Sequence, residues 1–203
     1  MDKYSSFSAL AEAEVHGRDY RIRSRRTRVR EWAVLAPHGG GIEPGTSEIA
    51  YAVSGNTYSF YAFEGMKRRN NGELHITSAC FDEPTGLSVA TSANRVLAIH
   101  GEDSKRAVVF LGGRDAVARK RLRKFLQRRG FTVERHANQN LEGVLTSNIC
   151  NRCRSGAGVQ VELSRGLRQL CFDSLSRTGR RIRTPVFDEL VAAIREALDE
   201  QAV

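Results

Sequence analysis

The feature that most restricts the fold of this sequence is a set of short, uninterrupted apolar runs. Trp32–Ala36, Val96–Ile99 and Val108–Leu111 each stop at a glycine-containing turn, and the first two turns also contain a histidine. An apolar run of this length between turn residues is typical of a strand that is buried on both faces. Because such a strand needs helices on both sides of its sheet, the pattern predicts an α/β fold.

Helical segments and weaker strands alternate with these runs. The predicted helices are Phe7–Val15, a segment from a Thr46-Ser47 cap to Val53, Pro84–Ala93, a basic helix from Asp115 to Gly130, and an amphipathic helix that begins at Thr184-Pro185. Further strands are predicted at Thr57–Phe63, Leu74–Thr77, Phe131–Val133 and Val159–Leu163. The alternation indicates a three-layer α/β domain with a mixed, largely parallel sheet.

No repeat, low-complexity tract or linker divides the 203 residues. We therefore expect a single domain over residues 1–203, with an N-terminal helix and basic arm in 1–30 and the core in 31–203. No apolar run approaches the roughly 20 residues that a membrane-spanning helix needs, and the first residues lack the pattern of a secretory signal. Four cysteines are too few for a disulfide framework. These features predict a cytoplasmic monomer with reduced thiols and no membrane partner.

The formal net charge of +9 implies attraction to anions. Nucleic acid, an anionic membrane surface and an acidic polymer all satisfy that charge. The basic arm, Arg21–Arg30, holds six arginines in ten residues, and its alternation predicts a strand or sheet edge with a solvated basic face. Nucleic-acid binding is the less favoured interpretation, because the sequence has no recognisable helix-turn-helix or zinc finger.

Chemically active side chains lie at three predicted strand ends, those of His38, His100 and Glu162. The carboxyl ends of parallel strands meet at one edge of a sheet, where ligands bind. Glu43 follows His38 within the same glycine-rich turn, so an imidazole and a carboxylate can converge there with little steric resistance. Two histidines and one carboxylate match the three protein ligands of a catalytic zinc site, which keeps a fourth position open.

Other interpretations of the same residues stay open. The glycine-rich segment is also compatible with a simple tight turn, and a histidine at a strand end is often a hydrogen-bonded structural group. A phosphate-binding loop is poorly supported, because Gly39-Gly40-Gly41 is not part of a P-loop or a Gly-x-Gly-x-x-Gly pattern.

Six sequence blocks that span most of the chain occur in the same order in a known family. They are Ala36–Glu48 (APHGGGIEPGTSE), Phe63–Gly65 (FEG), Leu74–Ser78 (LHITS), Phe81–Pro84 (FDEP), Ala98–Gly101 (AIHG) and Gly158–Ser164 (GVQVELS). On these blocks the sequence resembles the poly-γ-glutamate hydrolase family. The resemblance implies a zinc-dependent hydrolase, known from phages and bacteria, with a core related to the zinc carboxypeptidases. Its implied substrate is anionic poly-γ-glutamate or a γ-glutamyl peptide.

The resemblance also implies roles for individual residues. The implied zinc ligands are His38, Glu43 and His100. Glu162 is the implied general base, which takes a proton from the attacking water. The free α-carboxylates of a γ-linked glutamate chain require cationic and polar partners near the catalytic strand. The expected substrate-binding residues are Asn151, Arg152, Arg165 and Arg168.

Cys80 stands where the family pattern leads us to expect a histidine, between Ser78 and Phe81. If that histidine assists catalysis in relatives, its replacement lowers activity here, whereas the alternative interpretation is a buried thiol. Two other functions compete with γ-glutamyl hydrolysis. One is a basic, phage-derived nucleic-acid-associated protein on the same scaffold, and the other is a metalloamidase for another acylated amino acid.

Overall fold

Seven strands form one mixed sheet in the computed structural model, which describes residues 2–136, 138 and 141–200. The strands are β1 (Tyr20–Arg25), β2 (Trp32–Gly40), β3 (Ser59–Gly65), β4 (Arg95–Glu102), β5 (Val109–Gly113), β6 (Val133–Glu134) and β7 (Val159–Ser164). Their spatial order is β1-β3-β2-β4-β7-β5-β6. β1 runs antiparallel to β3, and β5 runs antiparallel to β7. The other neighbouring pairs are parallel. The predicted mixed, largely parallel sheet is confirmed.

Helices cover both faces of this sheet. They are α1 (Phe7–Ala13), α2 (Thr46–Ser54), α3 (Pro84–Ser92), α4 (Ala116–Arg128), α5 (Arg165–Cys171) and α6 (Pro185–Asp199). Apolar side chains of α2, α4, α5 and α6 pack with one face of the sheet, and those of α1 and α3 pack with the other. In the part of the chain that the structure describes, no helix combines the length and apolar character needed to cross a bilayer.

The continuous apolar runs are explained by this layering. Val34 and Leu97 point into the core beneath α2, whereas Leu35 and Ala98 point into the core beneath α3. Successive side chains of a strand alternate between faces, so a strand covered on both sides needs apolar residues at every position. The three-layer α/β prediction is therefore confirmed.

The sheet order places a crevice at the carboxyl ends of β2 and β4. From β2 the chain passes through α2 to β3 on one side, whereas β4 and the strands that pair beyond it lie on the other side. Ligands in open α/β sheets bind where neighbouring strands send their connections in opposite directions. The ends of β2 and β4 form such a point.

Two local predictions are wrong, and one helix was missed. Leu74–Thr77 is not a strand, because Asn71–Leu74 forms a 3-10 turn and the Thr77 amide donates to the Asp2 side chain. The cap of α2 is Gly45, whose φ of 100° favours glycine, while the Thr46 hydroxyl donates to the Glu43 carbonyl. The short helix α5 was not predicted from sequence. It begins directly after β7, with the Ser164 hydroxyl as its cap.

The basic arm begins as an edge strand, as predicted, but much of its charge is engaged within the protein. Arg21 and Arg23 both contact the buried Glu64 carboxylate, at 2.5 Å and 3.3 Å. Arg25 donates to the Ser54 hydroxyl and to the Gly55 carbonyl at the end of α2. These arginines therefore fasten β1 to the sheet and to α2.

Arg168 connects the backbone segments that border the crevice. This fully buried side chain of α5 donates to three backbone carbonyls, those of Leu163 (3.0 Å), Pro44 (2.8 Å) and Glu102 (2.9 Å). Gly101 leaves the space for it, because a Cβ there would lie 2.6 Å from Arg168 Cζ. One guanidinium thus links the turn after β2 to the carboxyl ends of β4 and β7.

We predict that Arg168→Met lowers the free energy of unfolding by about 3 kcal/mol, because three buried carbonyls lose a charged donor. Urea unfolding followed by circular dichroism measures the change. Arg165→Met is the matched control on the same helix, and since Arg165 is exposed we expect a change within about 0.5 kcal/mol. Equal effects of the two substitutions would contradict this role for Arg168.

Candidate active site

His38 lies near the carboxyl end of β2 with its ring buried. Its Nε2 lies 2.8 Å from the Ile76 carbonyl, an acceptor, so this nitrogen carries the hydrogen and Nδ1 is left as the electron-pair donor. Nδ1 faces Glu43 Oε1 at 3.0 Å. Burial alone would lower the pKa of His38, but the Glu43 carboxylate raises it above its ordinary value. Two electron-pair donors facing each other in this way require a proton or a metal ion between them.

The Glu43 carboxylate joins the ends of β2 and β4. Oε1 faces His38, and Oε2 accepts a hydrogen bond of 2.7 Å from the Gly101 amide. The turn that carries it depends on Gly40, whose φ is 66° and whose Cβ would lie 2.5 Å from the Gly65 carbonyl oxygen. Burial alone would raise the pKa of Glu43, but His38 and His100 lower it to about 2.

His100, in β4, supplies the third donor atom. Its Nδ1 lies 3.1 Å from His38 Nδ1 and 3.7 Å from Glu43 Oε2, and its Nε2 lies 3.4 Å from the Ser78 hydroxyl. Burial lowers the pKa of His100 to about 3, so the ring is neutral near pH 7. A neutral imidazole is the form that binds a metal.

The three donors fit one metal ion. Tetrahedral ligands about 2.0–2.1 Å from zinc lie roughly 3.3 Å from each other. His38 Nδ1 lies 3.1 Å from His100 Nδ1 and 3.0 Å from Glu43 Oε1, and His100 Nδ1 lies 3.7 Å from the other carboxylate oxygen, Glu43 Oε2. His38 also makes the outer hydrogen bond to a carbonyl that fixes the orientation of metal-binding histidines. These residues can therefore hold a metal ion in nearly the arrangement they already have.

His75 is a further residue of the site; it lies in the LHITS block, but no role was predicted for it from sequence. Its ring lies over the His38 ring with centroids 4.0 Å apart, and its Nδ1 lies 2.7 Å from Asp2 Oδ1. Its Nε2 lies 3.9 Å from Glu43 Oε1. Donor atoms of His38, Glu43 and His75 all lie within 4.8 Å of one another, so this second set shares two members with the first.

Glu162, in β7, lies opposite His100 in the register of the sheet. Its side chain is buried, and Oε1 accepts a hydrogen bond of 2.9 Å from Gln160 Nε2. Burial, together with the nearby Glu43 carboxylate, raises the pKa of Glu162 well above its ordinary value. A carboxyl group with a raised pKa beside a metal-binding cluster is suited to proton transfer.

These groups line an open cleft of about 1660 Å³. Pockets for small molecules measure roughly 300–1,000 Å³, so this cleft has room for a longer, extended ligand. His38, Glu43, His100 and Glu162 all contribute to its wall. The structure therefore brings together all four of the metal-binding and catalytic residues that the sequence predicts.

The predicted substrate-binding residues are only partly brought together. Arg165 lines the cleft with an exposed side chain, whereas Arg168 lines it while donating to three carbonyls. Among the described residues, the lining includes neither Asn151 nor Arg152. The buried Asn151 amide instead donates to the carbonyls of Gly143 and Leu145, and Arg152 is exposed elsewhere. These two residues lie outside the described lining of the cleft, and their role in substrate binding stays a prediction.

Cys80 is exposed and lies outside the residues described as lining the cleft. The interpretation of a buried thiol is therefore wrong. All four cysteines are free thiols, as the sequence predicts.

The chain is similar to several known proteins over nearly its whole length. Residues 4–193 match the family model described as poly-gamma-glutamate hydrolase. The chain is 36% identical to the UPF0714 protein YmaC of Bacillus subtilis (strain 168), over 98% of this chain and 85% of that protein. It is 37% identical to the UPF0714 protein YndL of the same organism, over 89% of this chain and 71% of that protein.

Two solved structures have nearly the same fold. A bacteriophage poly-gamma-glutamate hydrolase matches with a TM-score of 0.93 and 32% identity, covering 97% of this chain and 96% of that chain. YndL in an apo, zinc-free form matches with a TM-score of 0.92 and 35% identity, covering 98% of each chain. The chain therefore belongs to the poly-gamma-glutamate hydrolase family.

Proposed function

We propose that this chain is a zinc-dependent hydrolase that cleaves the γ-glutamyl amide bonds of poly-γ-glutamate. The observation that carries the proposal is the convergence of His38 Nδ1, His100 Nδ1 and the Glu43 carboxylate beside Glu162, at the edge of a cleft large enough for a polymer. Membership of the family, and the zinc-free description of the YndL structure, support the choice of substrate and metal.

His100, rather than His75, is our third zinc ligand. The His100 donor lies 3.1 and 3.7 Å from the other two donors, close to the tetrahedral spacing. The His75 ring instead lies tilted by 39° against the His38 ring, and its Nε2 lies farther from the Glu43 carboxylate, at 3.9 Å. We therefore assign His75 to the support of His38.

The chain's own groups divide the remaining work of hydrolysis. His38, Glu43 and His100 would hold the zinc, and the chemistry it would supply is a water with its pKa lowered to about 7 and polarisation of an amide carbonyl. Glu162 takes one proton from the attacking water as the new C–O bond forms at the γ-carbonyl. It then delivers that proton to the leaving nitrogen as the C–N bond breaks, and the second proton of the water passes from the new carboxylic acid to the amine, so the products are a γ-carboxylate and an α-ammonium group.

Arg165 is the cation that we assign to the substrate. Each residue of a γ-linked chain carries a free α-carboxylate, and a guanidinium binds a carboxylate with two parallel hydrogen bonds. Arg165 is exposed in the cleft, at the first position of α5 and directly after β7, which carries Glu162. Arg168 is less suited to this role, because its nitrogen atoms already donate to backbone carbonyls.

We predict that His38→Ala and His100→Ala each reduce bound zinc from one equivalent to well below half, because each removes a direct ligand. Metal analysis after dialysis measures this. His16→Ala is the control, since His16 is exposed and its ring packs on Tyr20. Full zinc content in both ligand variants would contradict the assignment.

We predict that Glu162→Gln lowers kcat on poly-γ-glutamate by about 10²–10⁴-fold, because the amide cannot accept the proton of the water. Zinc content is expected to stay at the wild-type level, which separates loss of proton transfer from loss of metal. Parallel assays with α-linked polyglutamate test the substrate. Cleavage of the α-linked polymer alone would overturn the γ-glutamyl assignment.

We predict that Arg165→Ala lowers kcat/KM on poly-γ-glutamate by about tenfold or more, which corresponds to the roughly 1.5–3 kcal/mol of a hydrogen bond to a charged group. Arg152→Ala is the matched control, since it removes an exposed arginine outside the described cleft lining. Steady-state kinetics measure kcat/KM for both variants. A larger fall in kcat/KM for Arg152→Ala than for Arg165→Ala would show that the substrate does not bind along Arg165.

A further inference from the structure

Gln160 lies two residues before Glu162 in β7, so both side chains project from the same face of the sheet. The Gln160 side chain is buried. Its Nε2 donates to Glu162 Oε1 at 2.9 Å and to the Leu141 carbonyl at 3.0 Å. Its Oε1 accepts a hydrogen bond of 2.9 Å from Asn148 Nδ2. Both amide hydrogens and the amide oxygen of Gln160 are therefore in use.

The orientation of this amide is determined by its surroundings. If the Gln160 amide were reversed, its oxygen would face two acceptors, the Glu162 carboxylate and the Leu141 carbonyl, while its NH₂ group would face the Asn148 NH₂ group. Asn148 is fixed in turn, because its Oδ1 accepts a hydrogen bond of 3.0 Å from the Cys150 amide. The chain of hydrogen bonds thus runs in one direction from the backbone to Glu162.

The hydrogen bond from Gln160 engages one carboxylate oxygen of Glu162 and leaves the other oxygen available for proton transfer. Among the described residues, no side chain or backbone donor is hydrogen-bonded to Glu162 Oε2, whereas Oε1 is bound by Gln160. Proton transfer from water requires a carboxylate oxygen at hydrogen-bonding distance in one defined orientation. A carboxylate fixed through a single oxygen presents its second oxygen in such an orientation.

We propose that Gln160 is a positioning residue that orients Glu162 for proton transfer, an inference that rests on the proposed function. Gln160 acts only through the Glu162 carboxylate and does not contact the substrate. The competing possibility is that Gln160 merely anchors the Leu141–Leu145 segment that lines the cleft. The two roles differ in whether the effect of Gln160 requires a carboxylate at position 162.

A double-mutant cycle separates these roles. Gln160→Met has a similar size and no hydrogen-bonding amide, and it is combined with Glu162→Gln. We expect Gln160→Met alone to lower kcat by about 10–100-fold, the usual loss when a residue that orients a functional side chain by a hydrogen bond is removed. We expect KM within about threefold of wild type and full zinc content. In the Glu162→Gln background, the same substitution should change kcat by less than about twofold.

Asn151→Ala is the matched control, because the Asn151 amide binds the carbonyls of Gly143 and Leu145 in the same segment without contacting Glu162. Its effect should be the same factor in both backgrounds. Asn148→Ala, which removes the anchor of Gln160 together with the acceptor of the Cys150 amide, gives a second route if Gln160→Met fails to fold. We expect it to lower kcat several-fold in the wild-type background and not in Glu162→Gln.

Equal kcat losses for Gln160→Met in the two backgrounds would overturn the positioning role while leaving the proposed function intact. Unchanged kcat for Gln160→Met would also overturn it. A wild-type rate for Glu162→Gln itself would instead remove Glu162 from the mechanism, and the role of Gln160 with it.

Discussion

The Glu43 carboxylate between two buried imidazoles is the interaction on which the rest of this site depends. It contacts His38 of β2 through one oxygen and the Gly101 amide of β4 through the other. An unpaired buried carboxylate would cost several kcal/mol, so the position is tolerable only with these partners. The pKa of Glu43 falls to about 2 and that of His38 rises because each stabilises the charge of the other. A metal ion can take the place of that shared proton without moving the donors far.

The fold supplies what this arrangement needs. The crevice between β2 and β4 arises because their connections leave in opposite directions. Gly40 allows the turn after β2 to pack against the end of β3, and the Arg168 guanidinium links that turn to the carboxyl ends of β4 and β7. Burial on both faces makes the strands rigid supports, so histidines near their ends have little freedom. The same burial lowers the pKa of His100 and keeps it in the metal-binding form.

Much of this was predictable from sequence, and the failures have a common physical cause. Apolar runs marked the buried strands, and polar side chains at their ends identified His38, His100 and Glu162 before any contact was known. His75 was missed because its partner, Asp2, is 73 residues away in sequence and no local pattern links them. The Asn151 amide binds backbone carbonyls, and local spacing cannot tell such an amide from one that faces a ligand. Tertiary contacts, which short motifs do not encode, decide those cases.

The central claim is that one zinc ion is held by donors from β2 and β4 at the edge of the cleft. Anomalous diffraction at the zinc edge, from crystals of the zinc-loaded protein, tests it most directly. The account predicts a single strong peak at about 2.0–2.2 Å from His38 Nδ1, His100 Nδ1 and a Glu43 carboxylate oxygen. A peak at the buried Cys150 and Cys153 thiols, or one bonded to His75 with His100 free, would contradict it.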